Sequence, residues 1–427
     1  MTFLGRHVDE QLAVLLNGEL IGYVTRRSIN DLCFFYEDGA RNPLSVSMPI
    51  TTRSYPHSVI APYMFGLLPE DERVLRRWGS EFGVSSNDAF GLLSHMGEDC
   101  PGAVQFLTLD RIETTREHKG IEWVEEAYIA ERLRILRNDP SAWRSADEIT
   151  NFSLGGNQSK FALVCRDGRW GRPFGGVATT HIIKPGVMVD SWDDQALNEH
   201  LCQQAASNLG LAAARTTIVQ FEDQEAIVIE RFDRQWLDGN LIRIHQEDIC
   251  QAFAQMPNSK YERDGGPTAE RIARLLEKHI FPRHASEIDK RRFVDALLFN
   301  WLIGGTDAHA KNYCLLHAGG SVRLGPLYDV ASMFPYHQYH KLQMAMKIGG
   351  QYAIKYVNSS HWVNVASIFG IPSEEVIERA LELASQLPDA LSEACAQVAN
   401  LHRVLPQRLL SDVSENCVRC TAKLRLN

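Results

Sequence analysis

In the first part of the chain, hydrophobic residues come in short runs broken by turn formers, which is the pattern of strands. Gln11-Leu-Ala-Val-Leu-Leu16 and Glu19-Leu-Ile-Gly-Tyr-Val24 flank Asn17-Gly18. A type I′ turn needs positive φ at both central residues, so Asn-Gly between two β-prone runs predicts a hairpin. Leu32-Cys-Phe-Phe-Tyr36 adds a third strand, and the alternation in Leu44-Ser-Val-Ser-Met48 predicts another. Residues 58–68 and 71–78 read as short helices parted by Pro69. Ser86-Asn-Asp88 carries an N-cap signal ahead of an apolar stripe, and 101–107 reads as a strand closing this module.

The period then lengthens. Residues 123–137 form an acidic-then-basic amphipathic pattern, and 151–164 is a glycine-containing turn running into an apolar strand. Thr180-His-Ile-Ile-Lys184 is a β-prone run ending in lysine. Leu197, Leu201, Ala205 and Leu209 then line one helix face, with Glu199 on the same helix. Residues 216–221 and 226–230 read as strands, and His245 begins a helix. The stretch 257–267 is the least regular part of the chain, a candidate substrate-contacting loop. Helical patterns follow at 268–279, 287–303 and 361–369, and from 373 into the Arg403 region. A hairpin is expected between them, with strands at 313–316 and 322–324. There is no internal repeat and no low-complexity tract. These patterns set expected modules at 1–110, 111–245 and 246–427, the first boundary lying in the charged segment 110–119.

Composition narrows the function classes. A hydrophobic fraction of 44% and a charged fraction of 23% are ordinary for a globular protein long enough to hold more than one core. The net charge of -9 argues against a chain that grips nucleic acid over its whole surface, since phosphate neutralisation needs clustered Lys and Arg. The opening residues carry no sustained apolar core for export, and no apolar run approaches the ~18 residues of a membrane span. A cytoplasmic protein with no membrane association is expected. The nine cysteines are scattered, as in a reducing compartment. The single C-x-x-C, Cys417-Val-Arg-Cys420, has no second pair or nearby histidine and reads as two incidental thiols near a fraying C-terminus.

The chemistry concentrates in Asn300-Trp-Leu-Ile-Gly-Gly-Thr-Asp-Ala-His-Ala-Lys-Asn312, where an apolar helix gives way to a polar loop. Asp307 and Asn312 stand in the D-x-x-x-x-N spacing of kinases, whose Asp accepts the acceptor's hydroxyl proton and whose Asn binds metal. Asp329 follows after the hairpin, where a kinase keeps its other magnesium ligand. A glycine turn, a strand lysine (Lys184) and a helix glutamate (Glu199) follow the order of a kinase N-lobe. Singly, each has an ordinary structural reading: a Gly-Gly hairpin, a solvated strand-end lysine, a surface acid.

Taken together these parts resemble the HipA family of bacterial serine/threonine kinases, the toxin halves of type II toxin–antitoxin pairs. The resemblance spans nearly the whole chain. It includes Leu16-Asn-Gly-Glu-Leu-Ile-Gly22, Pro43-Leu-Ser-Val-Ser-Met48, Gly66-Leu-Leu-Pro-Glu70, Lys260-Tyr-Glu-x-Asp-Gly-Gly-Pro267 and Leu342-Gln-Met-Ala-Met346. It implies an α+β, two-lobed, protein-kinase-like fold related to lipid kinases, with an added β-rich N-terminal module and a mostly helical C-lobe. It makes Asp307 the catalytic base and gives Mg²⁺ to Asn312 and Asp329. Lys184 contacts the ATP phosphates, and Gly155, Gly156, Asn157, Gln158, Ser159 and Lys160 cover the nucleotide. Glu230, Arg231 and Phe232 face adenine, while His309, Lys311 and Tyr328 sit beside the nucleotide. Ser153 matches the serine that family members phosphorylate on themselves, and a phosphate there would pull the glycine turn off the ATP site.

The implied function is an ATP- and Mg²⁺-dependent protein kinase acting on a translation component, glutamyl-tRNA synthetase or another aminoacyl-tRNA synthetase. Its implied partner is a small helix-turn-helix, HipB-like antitoxin, through which alone DNA is contacted. Two rivals differ in class. A small-molecule phosphotransferase of the aminoglycoside-kinase kind would need an acidic pocket, which the 260–263 loop does not suggest. An inactive nucleotide-binding corepressor would have no use for intact Asp307, Asn312, Asp329 and Lys184.

Overall fold

A computed structural model describes residues 10–145, 147–186, 194–337, 339–398 and 403–425. The chain divides into two compact units, residues 1–182 with 233–258, and residues 183–232 with 259–427.

In the first unit, five antiparallel strands lie in the order Ser54–Pro56, Asp31–Tyr36, Glu19–Ser28, Glu10–Leu16, Val104–Thr108. Asn17 and Gly18 adopt φ of 54° and 78°, as the Asn-Gly turn requires. Helices His57–Leu67, Glu72–Phe82 and Ala89–Met96 follow, and the Asp88 carboxylate caps the last by accepting from Gly91 N–H. A second antiparallel set joins Phe161–Arg166, Arg169–Phe174 and Gly120–Val124. A further hairpin, Arg234–Leu237 with Asn240–Arg243, turns on Asp238-Gly239.

Three local expectations give way here. The 44–48 segment is a turn with one Ser45–Met48 bridge. Side chains take over its backbone: Leu44 N–H donates to the Tyr36 hydroxyl, which donates to Met48 O, and Val46 N–H donates to Glu247. His245 begins a strand, His245–Asp248, and the helix starts only at Ile249, capped reciprocally by Asp248 and Gln251. Trp123 pairs with Gly171 in a strand, and the helix runs Glu126–Asn138.

In the second unit, Thr216–Phe221 and Gln224–Glu230 pair antiparallel. The helices are Gln195–Asn208, Ala269–His279, His284–Ile303, Ser359–Phe369, Ser373–Gln397 and Leu405–Arg425. His284–Ile303 is the axis of this core. Its second half is buried all round, which explains the apolar runs 296–299 and 301–303 on either side of Asn300. Trp301 meets Trp362 at 5.4 Å between ring centroids and Phe293 meets Phe369 at 5.5 Å. Burying each such aromatic contributes roughly 1.5–3 kcal/mol. The expected continuation of the 373 helix to Arg403 passes through 399–402, outside the described residues, and 405–425 is a helix of its own. Cys417 and Cys420 are buried within that helix. Among the described residues no helix is long and apolar enough to cross a membrane.

Candidate active site

The helix His284–Ile303 delivers the polar loop. It stops at Gly304, whose φ of 68° is left-handed and whose N–H bonds Asn300 O. A Cβ at Gly304 would lie 2.6 Å from the Phe334 ring, and one at Gly305 would lie 2.2 Å from Asn300 Oδ1. The Gly-Gly pair therefore lets the chain leave a buried helix within two residues. Asp307 follows, exposed. Its carbonyl accepts from Asn312 Nδ2 at 2.8 Å and from His309 N–H at 2.7 Å. The D-x-x-x-x-N spacing is thus closed into one loop, with Asn312 held in the turn Ala310–Asn312. The loop is anchored by Ala310 N–H on Lys260 O at 3.3 Å. One Asp307 oxygen accepts from the Tyr261 hydroxyl at 2.5 Å, and His309 meets the Tyr261 ring edge-on at 5.0 Å.

Lys184 lies at the end of the strand His181–Pro185 and is buried. Its ammonium donates to both oxygens of Glu199, at 2.9 and 3.0 Å, and to Asp329 Oδ1 at 2.8 Å. Burial works to lower its pKa, but the two carboxylates outweigh burial and hold the ammonium above the ordinary lysine value. Glu199 is itself buried on the helix Gln195–Asn208, while the Asp329 side chain is 45% exposed. Asp329 adopts φ of 56°, a left-handed conformation that costs a non-glycine residue energy and gathers at functional sites. Asn198, beside Glu199, clasps the chain three residues on: its amide donates to Ser332 O at 2.8 Å and accepts from Ser332 N–H at 3.0 Å. The helix carrying Glu199 and the segment carrying Asp329 are thereby locked together.

Flanking these groups, the Tyr328 hydroxyl donates to Lys311 O at 2.6 Å, and the Tyr328 ring lies 5.5 Å from that of Phe232. Lys311, Asn312, His309 and Arg231 are buried, while Glu230 is exposed at a strand end and 3.6 Å from Arg215. A separate cavity of about 150 Å³, lined by Ala212, Arg292, Tyr313 and Leu327 among others, includes neither Asp307 nor Asp329.

The glycine turn belongs to the first unit. Ser153 is fully buried there, its hydroxyl donating to Leu67 O at 2.8 Å and its N–H to Asp99 O at 3.0 Å. Gly156 has φ of 95° and bridges to Pro69. The Lys160 ammonium donates to Gly155 O at 2.9 Å and lies 4.4 Å above the Trp143 ring. Ser159 donates to Pro140 O at 2.9 Å. Asn157 is exposed and Gln158 half-buried.

The second unit alone thus brings together Lys184, Glu199 and Asp329, and separately Asp307, Asn312 and His309. Sequence reasoning did not single out Asn198 and Ser332, since no spacing rule links a helix asparagine to a distant serine, and it took in Tyr261 only as part of the candidate substrate-contacting loop 257–267. The donor set suits a hard cation. Asn312 Nδ2 is committed to Asp307 O, so the Asn312 amide oxygen and the Asp329 carboxylate are the groups that could hold one. Among the described residues there is no cluster of three or more His, Cys, Asp or Glu. A cation held by Asn312 and Asp329 would therefore be completed by phosphate oxygens and water, as Mg²⁺ prefers.

Comparison with known proteins agrees in both halves. The HipA N-terminal domain matches residues 12–107 and the HipA-like C-terminal domain matches 152–391. A relative with a kinase name, Y4mE of Sinorhizobium fredii (strain NBRC 101917 / NGR234), is 32% identical over 92% of this chain and 93% of its own. The serine/threonine-protein kinase toxin HipA of Shewanella oneidensis is 27% identical over 82% of this chain and 80% of its own. A solved structure of the Shewanella oneidensis MR-1 toxin–antitoxin system, HipA with HipB and its operator DNA, aligns at a TM-score of 0.80. It is 23% identical and covers 96% of this chain and 97% of that one. The fold is therefore α+β, two-lobed and kinase-like, with the β-rich N-terminal module and helical C-lobe the resemblance implied. With both family regions in order and a relative spanning nearly all of it, the chain belongs to the HipA family.

Proposed function

We propose that this HipA-family protein is an ATP- and Mg²⁺-dependent serine/threonine protein kinase and the toxin half of a toxin–antitoxin pair. The carrying observation is the pair of constellations in the second unit: Asp307 closed into a loop with Asn312, and Lys184 held between Glu199 and Asp329. In phosphoryl transfer the protein mainly positions groups and neutralises charge spread over the γ-phosphoryl oxygens. Asp307 takes the acceptor's proton. Asn312 and Asp329 would hold Mg²⁺, which would neutralise phosphate charge, and Lys184 would turn from Asp329 toward the phosphates. Glu230, Arg231 and Phe232 form the adenine side, with Tyr328, Lys311 and His309 beside the nucleotide. Gly155, Gly156, Asn157, Gln158, Ser159 and Lys160 cover the phosphates.

Phosphorylation of Ser153 is the proposed off-switch. Its hydroxyl is buried against Leu67 O, so transfer requires the turn to come out of this packing. The returning dianion would find an acceptor carbonyl where it needs donors. The modules 1–110, 111–245 and 246–427 remain our division of labour. Family likeness carries the choice of acceptor, a translation component such as glutamyl-tRNA synthetase or another aminoacyl-tRNA synthetase. The solved complex of the relative's HipA with HipB and operator DNA supports a HipB-like antitoxin as the partner; family likeness alone carries its being a small helix-turn-helix protein that makes the DNA contact, and the kinase's acting in the cytoplasm.

The test is ADP release by the purified chain with ATP and Mg²⁺. Asp329→Asn and Asn312→Ala should each lower it by about 100-fold or more while the chain stays folded. Release at the wild-type rate in both would sink the assignment.

A further inference from the structure

Tyr261 belongs to the second unit and sits between the turns Pro257–Ser259 and Glu262–Asp264. Its hydroxyl donates to Asp307 Oδ1. The ring is fixed on several sides. His309 meets it edge-on, and the Lys260 ammonium and Arg263 guanidinium lie 5.5 and 5.2 Å from its centroid. The loop backbone is pinned as well. Glu262 accepts from Lys347 N–H at 2.7 Å and pairs with its ammonium at 3.4 Å. Gly266 N–H bonds Tyr261 O at 2.9 Å, in a space where a Cβ would lie 2.6 Å from the carbonyls of Ser259 and Tyr261. A phenol held this way is a fixed donor aimed at one carboxylate oxygen.

From this geometry we infer that Tyr261 is a positioning residue for phosphoryl transfer, orienting the Asp307 carboxylate that receives the acceptor's proton. The inference rests on the reading of Asp307 as the base. In the step, the acceptor oxygen bonds to the γ-phosphorus as the bond to the ADP oxygen breaks. The acceptor's proton passes to Asp307, and Tyr261 keeps its own. Because such catalysis is mostly positioning, a carboxylate free to rotate loses rate without losing nucleotide.

The test uses the full chain with Tyr261→Phe and Tyr261→Ala. It measures ATP-dependent phosphate incorporation at saturating ATP and Mg²⁺, the KM for ATP and the thermal midpoint. Both variants should incorporate phosphate about 10-fold more slowly, with KM for ATP and midpoint unchanged. Tyr261→Phe should be as slow as Tyr261→Ala, since the hydroxyl acts and the ring does not. A wild-type rate in Tyr261→Phe would overturn the inference, as would a loss that tracks a raised KM or a lowered midpoint. Phosphate mapped to Tyr261 itself would make it an acceptor and overturn it too. A wild-type chain that incorporates none contradicts the kinase reading, and this inference falls with it. An active wild type beside an equally active Tyr261→Phe contradicts this inference alone.

Discussion

Lys184 is a cation kept charged where burial disfavours charge, and its surroundings decide what its loss would do. Glu199 accepts two of its hydrogen bonds and is buried with it, whereas Asp329 is partly solvated. Lys184→Met leaves the Glu199 carboxylate buried without this cation, a change that costs about 3–5 kcal/mol in comparable buried pairs. The variant should therefore unfold at lower denaturant and lose phosphotransfer together. A variant of wild-type stability would show that the pair is not buried in solution. The sign of the pH dependence follows from the raised pKa. The contribution is complete below the ordinary lysine value and lost only as pH rises through the still higher folded-state value. Wild-type stability should thus carry no slope from Lys184 near neutrality. A Lys184-dependent loss already near pH ~8 would contradict that.

Residues of this kind were legible in different degrees. Asp307, Asn312, Asp329 and Lys184 stood out by spacing and order, which match the succession of groups in a kinase, and the structure puts Asp307 with Asn312 and Lys184 with Asp329. Tyr261 did not, since its hydrogen bond to Asp307 is set by how a loop of irregular backbone packs. The Asn198–Ser332 clasp was hidden for the same reason: an asparagine inside a helix has no local signature of what it will meet.

At the scale of elements, the helix Leu405–Arg425 lies beyond the stretch matched by the family's C-terminal domain, yet it reaches the site's supports. Asn416 is fully buried, and its amide donates to the carbonyls of Trp301 and Leu302 at 3.2 and 2.8 Å. Those carbonyls belong to the last turn of the helix that hands over to Asp307, where intrahelical partners run out. One and two turns further along, Arg419 lies 4.6 Å from the Tyr339 ring centroid and Lys423 donates to the Tyr339 hydroxyl at 3.1 Å. The same helix thus touches the end of His284–Ile303 and, separately, Tyr339. Asn416→Ala strands two buried acceptors and should lower stability by about 1–3 kcal/mol, read as a reduced denaturant midpoint. An unchanged midpoint would mean that water replaces the amide.

Elements with their own local code were predictable: the Asn17-Gly18 hairpin, the Asp88 cap and the all-apolar end of His284–Ile303. Those misread were overridden by distant groups. The alternation in 44–48 looks like a strand, but the Tyr36 hydroxyl and the Glu247 carboxylate satisfy its backbone instead. His245-Gln-Glu-Asp248 looks like a helix start, yet its helix begins only once Asp248 can cap. The C-x-x-C thiols, expected near a fraying end, are buried in a helix, and burial pushes Cys417 up to about 12.

For the whole molecule, the account joins two units with different tasks. In the proposed function the second would hold the base Asp307, the metal ligands Asn312 and Asp329 and the phosphate lysine Lys184. The first holds Ser153, sealed against Leu67 O. The central claim is that Asp307 directs transfer of a phosphoryl group from ATP, and that Ser153 receives one and silences the enzyme. Ser153→Ala should retain phosphotransfer and escape the self-inactivation that wild type undergoes during incubation with ATP and Mg²⁺, seen as ADP release that stays linear with time. The most direct measurement is the intact mass of the purified chain after such incubation, beside Asp307→Gln, followed by peptide mapping. A single added phosphate on Ser153, present in wild type and missing from Asp307→Gln, is the predicted result. No added phosphate on wild type, or the same phosphate on both chains, would contradict the account.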